Sequence, residues 1–159
     1  MNPLKTLKQL KAIRKKLKAE NKKVVFTNGC FDLIHAGHVD YLSKAKKLGD
    51  ILIVGLNSDS SVRSIKGNKR PILKETERIF ILSNLKPVDY IIVFREDTPK
   101  KLINELVPDI LVKGADWKLE NIVGKDVVID NGGEVKTIKF VNNQSTSKII
   151  KTIVNRYKD

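Results

Sequence analysis

Five short apolar runs, separated by segments of helical periodicity, most constrain what this chain can fold into. The runs are rich in valine, isoleucine and leucine and, as in DILIVGL, lack the polar alternation of a strand with one face in water. They cover residues 23–27, 50–56, 88–94, 109–114 and 134–140. Strands buried on both faces and joined by helices predict a doubly wound, Rossmann-like α/β fold: a five-stranded parallel sheet with helices on both faces.

Predicted helices fill the intervals between these strands. They cover residues 37–49, 59–65, 74–85, 98–107, 124–133 and 145–157. Thr98 is expected to cap its helix, with Pro99 in the first helical position. Gly132 and Gly133 are expected to end the helix before the fifth strand. Because no repeat or long linker interrupts the pattern, residues 23–159 are expected to form one domain.

A basic amphipathic helix is predicted ahead of this domain, within residues 1–22. Its apolar residues recur every three or four positions, which predicts a helix ending near Asn21. They are Leu4, Leu7, Leu10, Ile13 and Leu17. Helices of this kind can bind a membrane or a partner protein. Packing on the domain, or a homodimer contact, is the favoured interpretation because most apolar stripes face a core.

The charge of the chain favours anionic ligands. Thirty-one basic residues against 18 acidic ones give a net charge of +13, which would attract nucleic acid, an anionic membrane or phosphorylated small molecules. No apolar run approaches the roughly 18–20 residues of a membrane span, and the charged N-terminus does not resemble a signal peptide. The single cysteine, Cys30, excludes an internal disulfide. A cytoplasmic protein without membrane partners is therefore expected.

The loop after the first strand contains both histidines of the chain, His35 and His38. Gly29 permits a sharp exit from the strand, and Gly37 lies where the next helix begins. Free backbone N–H groups and the helix dipole favour phosphate at such a helix start, and two imidazoles can donate further hydrogen bonds. A zinc site is disfavoured because no cysteine or glutamate cluster accompanies the pair.

The carboxyl ends of parallel strands share one edge, so four other loops should join this one. At the last of them, Ser145, Thr146 and Ser147 begin the final helix and could form a second phosphate site. Ordinary capping of that helix by a hydroxyl group is the alternative interpretation.

The segment GCFDLIHAGH resembles the G-x-F-D-x-x-H-x-G-H motif of the HxGH nucleotidyltransferases. The wider string resembles D-glycero-β-D-manno-heptose 1-phosphate adenylyltransferases, the ADP-heptose synthases of lipopolysaccharide core assembly. It comprises VVFTNGCFDLIHAGHVDYLSKAKKLGD, LIVGLNSDSSVRSIKG, RPI, VDYIIVF, DTP and PDILVKGADW, and the resemblance covers roughly residues 22–153. It implies transfer of AMP from ATP to the sugar 1-phosphate, with release of pyrophosphate.

The resemblance also implies roles for individual residues. His35, His38 and Lys66 would be catalytic. The implied nucleotide-binding residues are Asn28, Gly29, Cys30, Phe31, Gly37, Lys113, Gly114, Asp116, Ser145, Thr146 and Ser147. The implied substrate-binding residues are Asp32, Asn57, Asp59 and Arg78. Mg²⁺ would be carried with ATP rather than held by a protein cage, and a separate sugar kinase would supply the acceptor.

Two departures from the family pattern lie before the final helix. Asn142-Asn143-Gln144 stands where many members have a glycine, and Phe140-Val141 replaces the Arg-Thr pair of the related cytidylyltransferases. Another transferase of the superfamily, acting on glycerol 3-phosphate, ethanolamine phosphate or FMN, is the alternative. A basic nucleic-acid-binding module is the non-enzymatic alternative, although aromatic residues for base stacking make up only 6% of the chain.

Overall fold

The sheet has five strands, all parallel, in the order β3-β2-β1-β4-β5. The computed structural model describes residues 2–115, 117–139 and 145–158. The strands are β1 (Val24–Gly29), β2 (Ile51–Asn57), β3 (Tyr90–Phe94), β4 (Ile110–Gly114) and β5 (Glu134–Ile138). This architecture confirms the predicted five-stranded Rossmann-like fold. The last strand ends at Ile138, before the predicted end at Phe140, which lies outside the described residues.

Helices occupy every predicted interval. They are α1 (Leu7–Ala19), α2 (Ala36–Lys46), α3 (Asp59–Lys66), α4 (Glu75–Ser83), α5 (Lys100–Leu106), α6 (Lys125–Asp130) and α7 (Thr146–Arg156). A short 3-10 helix covers Leu119–Asn121. The predicted cap of α5 is wrong: Pro99 is the N-cap residue, and no side chain caps this helix. The ring of Pro99 starts the turn by its fixed φ, while Thr98 is left exposed one residue earlier.

Alternate residues of β1 enter the two halves of the core. Val24 and Phe26 join a hydrophobic cluster with α1 and α5, whereas Val25 joins a cluster with α2 and α4 on the opposite face. All three side chains are fully buried. Because both faces of the sheet are covered, the central strands contain almost no polar side chains until they reach their carboxyl ends.

The N-terminal helix α1 packs on the domain and shares its core. Leu10 is fully buried and Leu17 nearly so, in the same cluster as residues of β1, β2 and α5. Arg14 donates to the backbone oxygen of Val107 and to the carboxylate of Asp109, the latter at 2.7 Å. The apolar stripe therefore has a partner within the chain.

The segment before α1 extends the sheet beyond β3. Leu4 forms a parallel bridge with Ile91, with the Lys5 N–H donating to the Ile91 oxygen and the Ile91 N–H to the Pro3 oxygen, both at 2.9 Å. This contact covers part of an otherwise open strand edge, which protects it from pairing with other chains.

Candidate active site

A cavity of about 640 Å³ opens at the carboxyl ends of the strands. The loops after β1, β2, β3 and β4 line it together with the start of α7, as expected for a doubly wound sheet. Most of the predicted site residues lie on its wall: Asn28, Gly29, Cys30, Phe31, Asp32, His35, His38, Asn57, Lys66, Lys113, Gly114, Ser145, Thr146 and Ser147. Its size is within the usual range for small-molecule sites.

The two histidine rings are stacked at the start of α2. Their centroids are 3.9 Å apart, with 26° between the ring planes. His35 is the N-cap residue of the helix, and its own side chain does not cap it. The Nδ1 atoms of both rings are buried without a hydrogen-bond partner among the described residues. An unpaired acceptor is better tolerated than an unpaired N–H, so this geometry favours the tautomer that carries its hydrogen on Nε2.

Burial keeps the histidine pair neutral. Desolvation lowers the pKa of His38 to about 4, and the neighbouring His35 contributes to that shift. Burial also lowers the pKa of His35. At neutral pH both rings are therefore uncharged hydrogen-bond donors. A neutral imidazole is not held in a strong ion pair with the phosphate. Its hydrogen bond can therefore strengthen as negative charge on a phosphate oxygen increases.

In the loop after β1, the ring of Phe31 packs against the ring of His38. Phe31 adopts a left-handed backbone conformation with φ of 42°, and its ring centroid is 5.4 Å from that of His38. A Cβ atom on Gly29 would be 3.1 Å from the Phe31 ring. A side chain at this position would therefore require the Phe31 ring to shift by a few tenths of an ångström.

Lys113 and Trp117 form one side of the cavity, next to the central strand. The Lys113 ammonium donates to the side-chain oxygen of Asn28 at 2.5 Å, across the neighbouring ends of β4 and β1. It also lies 5.4 Å from the centre of the Trp117 ring. The predicted neighbour Asp116 lies outside the described residues.

The start of α7 is capped by a hydroxyl group and also lines the cavity. Ser145 caps the helix by accepting a hydrogen bond from the Lys148 N–H at 3.2 Å, and it also lines the cavity. Thr146 donates to the backbone oxygen of Leu33 at 3.3 Å, which ties α7 to the loop that carries the histidines. Ser147 completes this part of the wall.

Asp32 lies on the cavity wall, but its carboxylate is hydrogen-bonded to other parts of the protein. Its carboxylate accepts hydrogen bonds from Arg70 at 2.5 Å and from the N–H groups of Ile72 and Leu73 at 2.8 and 3.0 Å. Burial raises its pKa, but the hydrogen bonds from Leu73, Ile72 and Arg70 outweigh burial, so the net pKa lies below its usual value. The carboxylate therefore stays ionised and fastens the 70–73 segment to the histidine loop.

Arg78 lies beneath the cavity rather than in it. Its guanidinium is fully buried and donates to the backbone oxygens of Leu73, Cys30 and Asn57, and to the carboxylate of Asp59 at 2.8 Å. The structure thus places the predicted substrate contacts Arg78 and Asp59 in a network that joins four segments.

Two further predicted residues have distinct positions. Gly37 is buried in the first turn of α2 and is not part of the cavity wall. Cys30 lies on the wall, where burial raises the pKa of its thiol, with the positive charge of Lys66 opposing that shift. A thiol held in its neutral form fits a wall residue better than a nucleophile.

Lys66 is an exposed cation at the cavity mouth. It is the last residue of α3, and Gly67 follows it with φ of 88°, a conformation that favours glycine. Arg70, on the same connection, is paired with Asp32. Of these two wall residues, Lys66 is the one exposed to an incoming phosphate.

Sequence reasoning missed several wall residues. They are Tyr41, Ile65, Asp97, Thr98, Pro99 and Val123. The position of 97–99 directly after β3 was an available signal, because that loop was expected at the same edge. Tyr41 had none: it lies within α2, and its hydroxyl reaches Thr27 of β1 at 2.7 Å only through tertiary packing.

Comparisons with known proteins identify the family of the chain. The sequence model of the cytidylyltransferase-like family matches residues 26–152. The chain is 58% identical over 139 residues to bifunctional protein HldE of Citrifermentans bemidjiense, covering 87% of this chain and 28% of that protein. It is 53% identical over 154 residues to bifunctional protein HldE of Geobacter metallireducens, covering 97% and 31%. The chain thus spans less than a third of the length of these two relatives.

Two solved structures are similar in fold. The lipopolysaccharide core biosynthesis protein of Thermoplasma volcanium shares 34% identity and a TM-score of 0.63, over 77% of this chain and 99% of that one. Pantoate-beta-alanine ligase of Francisella tularensis has a TM-score of 0.65 over 92% of this chain and 69% of that one. At 17% identity, this second likeness shows the fold alone. The family model shows that the chain belongs to the cytidylyltransferase-like family, and together with the HldE relatives it confirms the nucleotidyltransferase class that the HxGH motif indicated.

Proposed function

We propose that this chain transfers AMP from ATP to D-glycero-β-D-manno-heptose 1-phosphate, forming ADP-heptose and pyrophosphate for lipopolysaccharide core assembly. The main support is the pair of neutral, stacked histidines in a cavity at the start of α2. The high identity to HldE proteins and the likeness to a lipopolysaccharide core biosynthesis protein favour this acceptor among those open to the family.

The reaction needs positioning and charge stabilisation more than covalent catalysis. A phosphate oxygen of the acceptor attacks the α-phosphorus of ATP, and the bond to the bridging oxygen breaks. Its electron pair leaves with pyrophosphate. His35 and His38 donate hydrogen bonds to phosphate oxygens whose charge changes during transfer. A fixed donor of this kind typically contributes about 3–4 kcal/mol to the transition state.

The remaining wall residues bind the nucleotide in this proposal. Trp117 and Lys113 lie beside the adenosine, next to the crevice between β1 and β4. The hydroxyl-rich start of α7 receives the outer phosphates. Lys66, exposed at the mouth, neutralises part of the triphosphate charge during transfer.

Mg²⁺ fits this site as an ion carried by the triphosphate. Among residues 2–115, 117–139 and 145–158, no group of three or more His, Cys, Asp or Glu side chains is arranged to hold a metal. Mg²⁺ commonly keeps several waters and binds through substrate phosphates, where it neutralises charge. Lys66 and the start of α7 would then act on the phosphate oxygens that the ion does not reach.

A sugar kinase reaction supplies the 1-phosphate in this proposal. No helix within the described ranges has the length and hydropathy to cross a membrane.

A homodimer through the N-terminal stripe has less support than the sequence suggested, because Leu10 and Leu17 are buried within the chain.

The test is pyrophosphate release from ATP and Mg²⁺ with heptose 1-phosphate as acceptor. We expect turnover that depends on all three components, and little turnover with CTP. Absence of release with heptose 1-phosphate, together with turnover of glycerol 3-phosphate and CTP, would contradict the proposal and favour a cytidylyltransferase instead.

A further inference from the structure

The cavity continues past the histidines to the ends of β2 and β3. The nucleotide side has cationic and hydroxyl groups, from Lys113 to the start of α7. The opposite side is formed by Asn57 and Ile65, together with the loop after β3 at 97–99. In the proposed reaction this second side is left for the acceptor, because the nucleotide occupies the β1–β4 crevice.

Asp97 is chemically unlike the rest of this wall. Asp32 and Asp97 are the two carboxylates among the described wall residues, and Asp32 is saturated by Arg70 and two backbone N–H groups. Asp97 makes no hydrogen bond or ion pair with a described residue, and its side chain is exposed. It thus brings an uncommitted negative charge to a cavity that must hold a triphosphate and a second phosphate.

Electrostatics restrict what can lie against this carboxylate. A phosphate group would be repelled, whereas hydroxyl groups donate well to an ionised carboxylate, which has two oxygens with several acceptor positions. The Thr98 hydroxyl, next along the wall, can both donate and accept. Ile65, about half exposed nearby on the wall, offers apolar contact to the C–H groups of a sugar ring.

We propose that Asp97 is a specificity-determining residue that binds hydroxyl groups of a polyhydroxylated acceptor, with Thr98 assisting. The phosphate of the acceptor then points towards the histidines, and its hydroxylated end points towards β3. This inference rests on the proposed function, and it adds the reason why a sugar phosphate is selected over a phosphate monoester without hydroxyls.

The test compares wild type with Asp97→Asn, using Glu96→Gln as the matched control. Glu96 is the adjacent carboxylate on the same loop, but it is not part of the cavity wall, and it faces Lys101 at 3.8 Å. In pyrophosphate-release kinetics, we expect Asp97→Asn to raise the KM for heptose 1-phosphate by about tenfold, the usual effect of losing a charged hydrogen bond. The KM for ATP and the Mg²⁺ requirement should change by less than about twofold, and Glu96→Gln should behave as wild type.

Deoxy analogues of the acceptor sharpen the assignment. If Asp97 binds a given hydroxyl, removing that hydroxyl should abolish the difference between wild type and Asp97→Asn. Equal penalties in both proteins for every analogue would overturn the proposal. So would an increase in the KM for ATP, or a shifted Mg²⁺ requirement, which would assign Asp97 to the metal–triphosphate complex.

Direct binding separates this inference from the proposed function. Calorimetry with ADP-heptose and ADP should show tighter binding of ADP-heptose to wild type, and Asp97→Asn should remove most of that difference. If wild type releases no pyrophosphate with heptose 1-phosphate, the proposed function fails. Asp97 is then tested with glycerol 3-phosphate, another hydroxylated acceptor, by the same KM comparison and by direct binding to each protein. Equal values for wild type and Asp97→Asn in both measurements would overturn the inference.

Discussion

The HxGH segment contains two kinds of polar residue, and they differ in how their hydrogen-bonding groups are used. Asp32 is satisfied by three donors from the 70–73 segment. Arg78, which lies outside the HxGH segment, donates to four acceptors, one of them the backbone oxygen of Cys30 within it. His35 and His38, a few residues away, have buried nitrogens without partners among the described residues. Satisfied groups hold the loop in place, whereas the histidines, with their Nδ1 atoms buried, keep the Nε2 N–H groups for a ligand. One short motif therefore combines a carboxylate that is satisfied within the protein with two histidines that remain for a ligand.

The largest effect is expected on the supporting side. Arg78→Ala should lower the free energy of unfolding by about 3–5 kcal/mol, because it leaves Asp59 and three backbone oxygens without their donor. Urea denaturation measures this change. Arg63→Ala on the exposed side of α3 is the control, and it should alter stability by less than about 0.5 kcal/mol. Equal stability of the two variants would show that Arg78 is not a structural hub.

Replacing either histidine should lower turnover without lowering stability, unlike Arg78→Ala. His35→Ala or His38→Ala should each reduce turnover by a factor of order 10² or more, because a fixed donor to the reacting phosphates is lost. Circular dichroism should show the fold unchanged. Val39→Ala, at a half-exposed position beside His38, should retain wild-type turnover. Wild-type rates in both histidine variants would assign the pair to packing alone.

Asp32→Asn should lower the free energy of unfolding by less than Arg78→Ala does. The amide keeps the size of the side chain but loses the charge that accepts from Arg70 and from two N–H groups. We expect a loss of about 1–3 kcal/mol in the free energy of unfolding at pH 7. The lowered pKa of Asp32 means that its contribution is present above the unfolded pKa and is lost as pH falls through the folded pKa.

Stability measured against pH checks this sign. The difference between wild type and Asp32→Asn should be constant above about pH 5 and should shrink at more acidic pH. A difference that grew on acidification would contradict the assigned ion pair.

The histidine pair should give a second loss of stability on acidification, and this loss should begin at a higher pH than that of Asp32. The pKa of His38 in the folded protein is about 4, below its unfolded value of roughly 6.5, so the unfolded chain binds more protons between these values. Stability should therefore fall as pH decreases from 6.5 to 4, by about 3 kcal/mol. His38→Gln should flatten this part of the profile. An unchanged profile in that variant would show that burial does not keep His38 neutral.

Much of the fold was accessible from sequence because its physical cause is local. Unbroken apolar runs specify strands buried on both faces, and periodic stripes specify helices, so the element order and the parallel sheet were predicted. Helix boundaries depend on single turns, which is why the cap at Thr98 was wrong. Strand order, with β1 at the centre, depends on how distant elements pack and has no local signal.

For the site, residue types and spacing in GCFDLIHAGH indicated phosphate chemistry before any tertiary structure was known. Which residues face the ligand could not be read from the same string. Asp32 and His35 are three positions apart, yet the 70–73 segment folds over one and leaves the other open. That segment is about 40 residues away in sequence, and Asp97 on the far wall is farther still. Sequence alone thus determined the fold class and the kind of chemistry, whereas tertiary packing decided which polar groups are satisfied within the protein and which remain for substrates.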